Sequence, residues 1–336
     1  MFEDENYFSE SEYYPHLTKI DSAINTMVAR LEEGNDVIPT GYKSLDDLIG
    51  GGWQKGDMII LGGFPSSGKT SLALNFALYA ANQGYPVVFF TLHTASHLLV
   101  QRLFSIHANE PLRFDSKEQY ICHRINEIGH ELSSIPFYMD DSPRLEYDRL
   151  RGKILETLES VRDALVVIDY INIMQPPAVY QGMREQEMSA ISREIKITAR
   201  ELNIPIIAVA ELNPSKSRKG YSSSRPSLND LKESSSLEYD ADVVILTELE
   251  TGLGCYYDEE NYDPNGMKMI VAKNRRGYVS DLRMRFDKET GLIEEFKSFS
   301  YSDSSYNDMV NEESDNPLET PENSDDNEQD SDISLS

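Results

Sequence analysis

Gly63-Phe64-Pro65-Ser66-Ser67-Gly68-Lys69-Thr70 follows the pattern G-x-x-x-x-G-K-[ST], in which a glycine-rich turn wraps backbone N–H groups around phosphate oxygens. Its flanks separate a working loop from a chance turn. Met58-Ile59-Ile60-Leu61 is an apolar run that reads as a buried strand, and residues 71–83 read as a helix. The loop therefore lies between strand and helix, as phosphate binding requires. Gly63 and Gly68 let the backbone curl, with Phe64, Pro65, Ser66 and Ser67 forming the cradle between them. The helix N-terminus adds partial positive charge. Lys69 is placed to reach the terminal phosphates of a nucleotide and the Thr70 hydroxyl to bind Mg²⁺. The expected ligand is ATP with Mg²⁺.

Outward from the loop, residues 164–169 form an apolar run that ends in Asp169. An acid at the carboxyl end of such a strand is placed to hold Mg²⁺ through its water shell; the plainer reading is an ordinary strand-terminating aspartate. Further apolar runs at 86–92, 135–139, 204–210, 242–246, 267–272 and 282–286 alternate with helical stretches at 95–107, 116–132, 145–160 and 185–203. This alternation predicts an α/β fold with a mainly parallel central sheet flanked by helices, and a nucleotide at the carboxyl ends of its strands. Residues 282–286 read as an edge strand, and Ser44 reads as the N-cap of a short helix at 44–49. Residues 17–33 carry a helical apolar stripe through Leu17, Ile20, Ile24, Met27, Val28 and Leu31.

The chain has 336 residues and a formal net charge of −27. Residues 301–336 hold 12 acids and no Lys or Arg, which leaves 46 acids against 31 bases in the first 300 residues. That terminal composition predicts a disordered acidic tail, and the overall acidity disfavours indiscriminate binding of polyanions. One stretch departs from it. Lys216, Arg218, Lys219, Arg225 and Lys232 face only Asp230 between residues 213 and 232. This is either a solvated loop or a mobile loop that grips nucleic-acid phosphates. Cys122 and Cys255 lack metal-ligand spacing and read as reduced thiols of a cytoplasmic protein. The acidic N-terminus is unlike a targeting peptide, and no apolar run approaches the roughly 20 residues that span a bilayer.

These blocks together resemble the RecA-like motor domain of replicative DNA helicases of the DnaB family. The resemblance runs from about Pro39 to Phe296. It rests on Thr40-Gly41 with Leu45-Asp46, the glycine loop, Ile168-Asp169-Tyr170, and Arg225-Pro226 with Leu228, Asp230, Leu231, Glu233 and Ser234. Asp240-Ala241-Asp242-Val243-Val244 and Ala272-Lys273-Asn274-Arg275 complete it. It implies a P-loop NTPase that works as a homo-oligomeric, hexameric ring, moves along single-stranded DNA in replication and contacts other replication proteins. It also implies a linker helix at 17–38 that docks on a neighbouring subunit and a motor domain at 39–298, while composition predicts a disordered tail at 299–336 and, at 1–16, a disordered acidic and aromatic arm whose aromatics could instead dock on another surface. Lys273 and Arg275 would reach a neighbour's γ-phosphate, and residues 231–236, with Lys232, Glu233 and Ser235, would grip DNA.

The sequence departs from the family pattern in four places. About 38 residues precede the motor, so the family's primase-contacting amino-terminal domain, and coupling to primase, are not expected. His93 stands where the family has its water-polarising glutamate; histidine titrates near neutrality and is a weaker substitute for a fixed carboxylate. Glu211 stands in place of a phosphate-sensing glutamine. Lys232 and Ser235 replace an arginine and a glycine, which keeps the charge but loses the bidentate fork. Two expectations follow: Glu211 has taken over water activation, or the chain binds ATP, hydrolyses it poorly and serves as an accessory subunit of the replication machinery. A recombination or clock ATPase sharing the fold is a third reading, disfavoured by the Lys273-Asn274-Arg275 block.

Overall fold

The computed structural model describes residues 37–112, 119–158, 163–213, 225–231, 235–250 and 263–296, together with 20–22, 24, 25 and 28. The expected arm and acidic tail lie outside the described residues, as do Lys216, Arg218, Lys219, Lys232 and Glu233 and the side chain of Ser235. Two short strands, β1 (Val37–Ile38) and β2 (Trp53–Gln54), pair antiparallel ahead of the main sheet. That sheet comprises β3 (Met58–Gly63), β4 (Val87–Thr91), β5 (Phe137–Asp140), β6 (Leu165–Asp169), β7 (Ile206–Glu211), β8 (Val243–Leu249), β9 (Gly266–Asn274), β10 (Ser280–Phe286) and β11 (Ile293–Glu295). Their spatial order is β11-β10-β9-β8-β3-β7-β6-β4-β5. Pairing is parallel from β5 to β8 and antiparallel from β8 to β11.

The central strands are near-continuous apolar runs because both faces are covered. Alternate residues divide between two layers. Ile59 and Leu61 pack with α1 (Lys43–Ile49), α2 (Lys69–Asn82) and α3 (Ser96–Ala108). Met58 and Ile60 face α5 (Leu150–Thr157), α6 (Arg184–Leu202) and α7 (Ser235–Asp240), while α4 (Gln119–Ser134) runs between α3 and β5. This is the period of two expected of a pleated strand. It places α2, which carries the loop lysine, in the middle of one layer.

Four readings of the sequence are corrected here. β10 is not an edge strand: β11 pairs outside it, with Met284 opposite Glu295. Ser44 is not an N-cap, since α1 begins at Lys43 after Tyr42 and no side chain caps it; the Ser44 hydroxyl instead donates to Glu295 Oε1 at 2.5 Å. The helix expected over 145–160 is confined to Leu150–Thr157 behind a 3₁₀ turn at Tyr147–Arg149. Val37 and Ile38, assigned to the linker, pair with β2. The described residues between 20 and 28 are helical, with Ile20, Ile24 and Val28 exposed. Among the described residues no helix is long and apolar enough to cross a membrane.

Phe76 fixes α2 against its layer. It is fully buried and meets Trp53 edge-on at 4.9 Å and Tyr42 edge-on at 5.5 Å between ring centroids. Phe76→Ala is expected to cost about 3–5 kcal/mol of unfolding free energy, read from the midpoint of urea denaturation.

Candidate nucleotide site

Strand register assembles the site. Gly63 lies opposite Glu211 on β7 and opposite Thr247 on β8, while Thr91 lies opposite Asp169. The chain leaves β3 level with the ends of its neighbours and turns through Phe64–Gly68 before α2 starts at Lys69. Gly68 has φ +86°, a left-handed conformation that suits glycine. Gly63 is glycine for a different reason. A Cβ there would lie 2.2 Å from Ser67 Oγ and 2.3 Å from Thr247 Oγ1, two hydroxyls that are themselves 2.7 Å apart. A side chain at this position would fill the cradle. Phe286 and Met267, from β10 and β9, back the loop at Gly68.

Lys69 Nζ donates to the Phe64 carbonyl at 2.7 Å, so the ammonium lies folded over the loop. Burial lowers its pKa, and the carboxylates of Glu211 and Asp169 pull it back up. Thr70 Oγ1 donates to Asp169 Oδ2 at 2.8 Å. Asp169 is buried, and burial raises its carboxyl above the ordinary value; the Thr70 hydrogen bond and the charges of Lys69, Arg102 and His93 offset part of that rise. A hydroxyl touching a buried carboxylate is a pair of hard oxygen donors that fits Mg²⁺. The His93 ring lies 5.5 Å from that of Tyr170. Glu211, at the tip of β7, has its backbone N–H fixed by Asn172 Oδ1 at 3.0 Å. Its charge, with that of Asp169, adds to burial in raising the Tyr170 phenol. Lys69, Thr70, His93, Asp169 and Glu211 are thus brought to one end of the sheet.

A cleft of about 1040 Å³ opens beside them, lined by residues 66–71 of the loop and α2, by Gln101 and Arg102 of α3, and by Lys288–Gly291 of the β10–β11 turn. The sequence reading missed Arg102, Asn172, Thr247 and this turn. Thr247 carried a weak signal, a polar residue ending an apolar run. Arg102 carried none, because only the packing of α3 brings its charge to Asp169. It makes no hydrogen bond or ion pair with a described residue and is free to meet an anion in the cleft.

Lys273 and Arg275 do not join the site. Lys273 lies opposite Val244, at the other end of β8 from Thr247. Its Nζ donates to the carbonyls of Glu238 at 2.5 Å and Ala241 at 2.6 Å. Arg275 Nη2 donates to the Tyr239 carbonyl at 2.7 Å and Nη1 to Asp242 Oδ1 at 3.3 Å. Arg225, from the basic stretch, pairs with Asp281 at 2.5 Å.

Sheet, loop and carboxylate define a RecA-like P-loop domain that uses nucleotide. The chain belongs to the DnaB-like helicase C terminal domain family, whose match covers residues 37–295. It is 36% identical over 260 residues to a probable replicative DNA helicase of Trieres chinensis, covering 74% of this chain and 55% of that protein. It is 32% identical over 281 residues to a replicative DNA helicase of Leifsonia xyli subsp. xyli, covering 82% of this chain and 60% of that protein. The chain therefore spans a little over half the length of these relatives. A solved structure of a DnaB-like replicative helicase, studied with its interactions with primase, superposes with a TM-score of 0.71 at 26% identity, covering 83% of this chain and 67% of that one. The RadB recombinase shares the fold, with a TM-score of 0.50 at 20% identity over 78% of this chain and all of its own.

The raised Asp169 carboxyl gives a test with a definite sign. Its stabilising contribution is present at low pH and is lost as pH rises from the unfolded value of 3.8 through the folded one. Without nucleotide or metal, Asp169→Asn should therefore gain thermal stability relative to wild type as pH rises above the unfolded value of 3.8. If the Thr70–Asp169 pair holds Mg²⁺, the substitution should also remove any further rise in melting temperature that Mg²⁺ adds to that of a nucleotide.

Proposed function

We propose that the chain is the motor of a replicative DNA helicase, a hexameric ring that hydrolyses ATP to move along single-stranded DNA in the cytoplasm. The observation that carries this reading is the convergence of Lys69, Thr70, Asp169 and Glu211 beside one cleft, in a chain of this family. The loop N–H groups and Lys69 hold the β- and γ-phosphates. Thr70 and Asp169 hold Mg²⁺, which when bound neutralises charge on those phosphates. Glu211 takes a proton from the attacking water as its oxygen bonds to the γ-phosphorus and the bond to the bridging oxygen breaks, releasing ADP and phosphate. This assigns to Glu211 the role that His93 cannot fill as a fixed carboxylate; the His93 ring packs at Tyr170 and borders the same site.

Lys273 and Arg275 sit at the far end of the strands from their own loop, which supports action on a nucleotide bound by a neighbouring copy. Such an arginine stabilises charge developing on the transferred phosphoryl group. The exposed Ile20, Ile24 and Val28 stripe suits a linker helix covered by that neighbour. For DNA the reading relies on the basic residues Lys216, Arg218, Lys219, Arg225 and Lys232, with Glu233 and Ser235, as a grip on phosphates. The exposed free thiol of Cys122 suits a reducing compartment.

Steady-state ATP turnover with and without single-stranded DNA tests the proposal. Wild type should turn over ATP faster with DNA, Lys69→Ala should abolish turnover, and Glu211→Gln should lower kcat about 100-fold or more with little change in KM. A wild type that is inactive until His93→Glu restores turnover would instead identify an ATP-binding accessory subunit.

A further inference from the structure

Arg275 and Arg276 are neighbours in sequence with unlike surroundings. Arg276 meets Asp57 through a fork: its Nη2 donates to Oδ1 at 2.5 Å and its Nη1 donates to Oδ2. The Asp57 side chain is only 4% exposed, and the Ile206 N–H donates to its carbonyl at 2.9 Å, tying it to β7. Asn274 braces the same turn, with Nδ2 donating to the Leu48 carbonyl at 2.9 Å and Oδ1 accepting the Arg276 N–H at 3.0 Å. Arg275 is held more loosely. The two side chains are similarly exposed, 47% and 41%, but Arg275 makes no fork: it has one bond of 2.7 Å to the Tyr239 carbonyl and a contact of 3.3 Å with Asp242. Asp242 does not depend on it, because Lys196 Nζ and the Met58 N–H, at 2.9 Å, also donate to that carboxylate.

The two arginines therefore differ in what their departure leaves behind. If Arg275 swings away, Asp242 keeps Lys196. If Arg276 leaves, Asp57 loses both hydrogen bonds of its fork in a buried site beside the Asp242 carboxylate, and only the charge of Lys196 is left to offset it; breaking such a pair is strongly disfavoured. We propose that Arg276 is a positioning residue, clamped on Asp57, and that Arg275 is the moving one. On this proposal Arg275 exchanges the Tyr239 carbonyl and Asp242 for the terminal phosphate on the loop of a neighbouring copy. The inference rests on the reading of Arg275 as acting across the subunit interface, and it adds the device that aims it.

Affinity for ATPγS relative to ADP tests it without requiring turnover. Both are titrated by fluorescence on the assembled full chain, with thermal melts as a check on folding. Arg276→Gln alone deprives the buried Asp57 of its fork, so the informative variant combines it with Asp57→Asn, which removes both charges. Arg275→Ala should lower the ATPγS-to-ADP affinity ratio about tenfold, the value of one charge-assisted contact. The Asp57→Asn with Arg276→Gln variant should lower it equally, Arg275→Ala added to that variant should lower it no further, and ADP affinity should hold throughout. A wild-type ratio in the Asp57–Arg276 variant, or losses that multiply, would overturn the positioning role and leave the trans reading standing. An unchanged ratio in Arg275→Ala would overturn the trans reading and the inference with it.

Discussion

Gly63 ends its strand with hydroxyls pressed against it: a Cβ would sit 2.2 Å from Ser67 and 2.3 Å from Thr247. That fit is possible only because β3 is flanked by two parallel strands in level register, one ending at Glu211 and the other carrying Thr247. The same register turns the loop away from the sheet and starts α2 directly above it, so that backbone N–H groups and the helix dipole face one cleft. It brings Glu211 beside Lys69, and the pairing of Thr91 with Asp169 sets the second carboxylate level with them. The buried packing of Phe76 then keeps α2 from shifting. Loop, carboxylates and cleft are consequences of one strand alignment.

The opposite end of those strands carries a second charged assembly. Asp57 and Asp242 approach the amino ends of β3 and β8, and Lys196, Arg275 and Arg276 converge on them. Buried ion pairs contribute little net stability, but breaking one is expensive, so such a cluster holds geometry more than it stabilises the fold. The C-terminal carbonyls of α7 sit in the same assembly, held by Lys273 and Arg275. With the glycine loop at one end of the sheet and a cluster of cations at the other, copies stacked head to tail would place each set against its complement. The proposed ring motor uses the two ends in this way.

Much of this was legible in the sequence because the signals are local. The glycine loop, Asp169 and the buried strands are each written in fewer than about ten consecutive residues, and the central strands appear where the apolar runs stand. What escaped depends on residues distant in the chain. β11 is a three-residue strand containing Glu294 and Glu295, with no apolar run to announce it. Ser44 looked like a cap until Glu295, 251 residues away, took its hydroxyl. Arg102 and Thr247 join the site through helix packing and strand register, which no short motif records. The role of Lys273 and Arg275 came from resemblance, and the partner of Arg276 lies 219 residues away; neither follows from local sequence.

The central claim is that one nucleotide is served by two copies of this chain, one supplying the loop and the other Arg275. Mixing two variants before assembly, Lys69→Ala and Arg275→Ala, and measuring ATP turnover tests it most directly. Each alone should be inactive. In the mixture, the loop of an Arg275→Ala copy can meet the intact Arg275 of a Lys69→Ala copy, so turnover should reappear. A mixture that stays as inactive as its components, although the copies assemble together, would contradict the account.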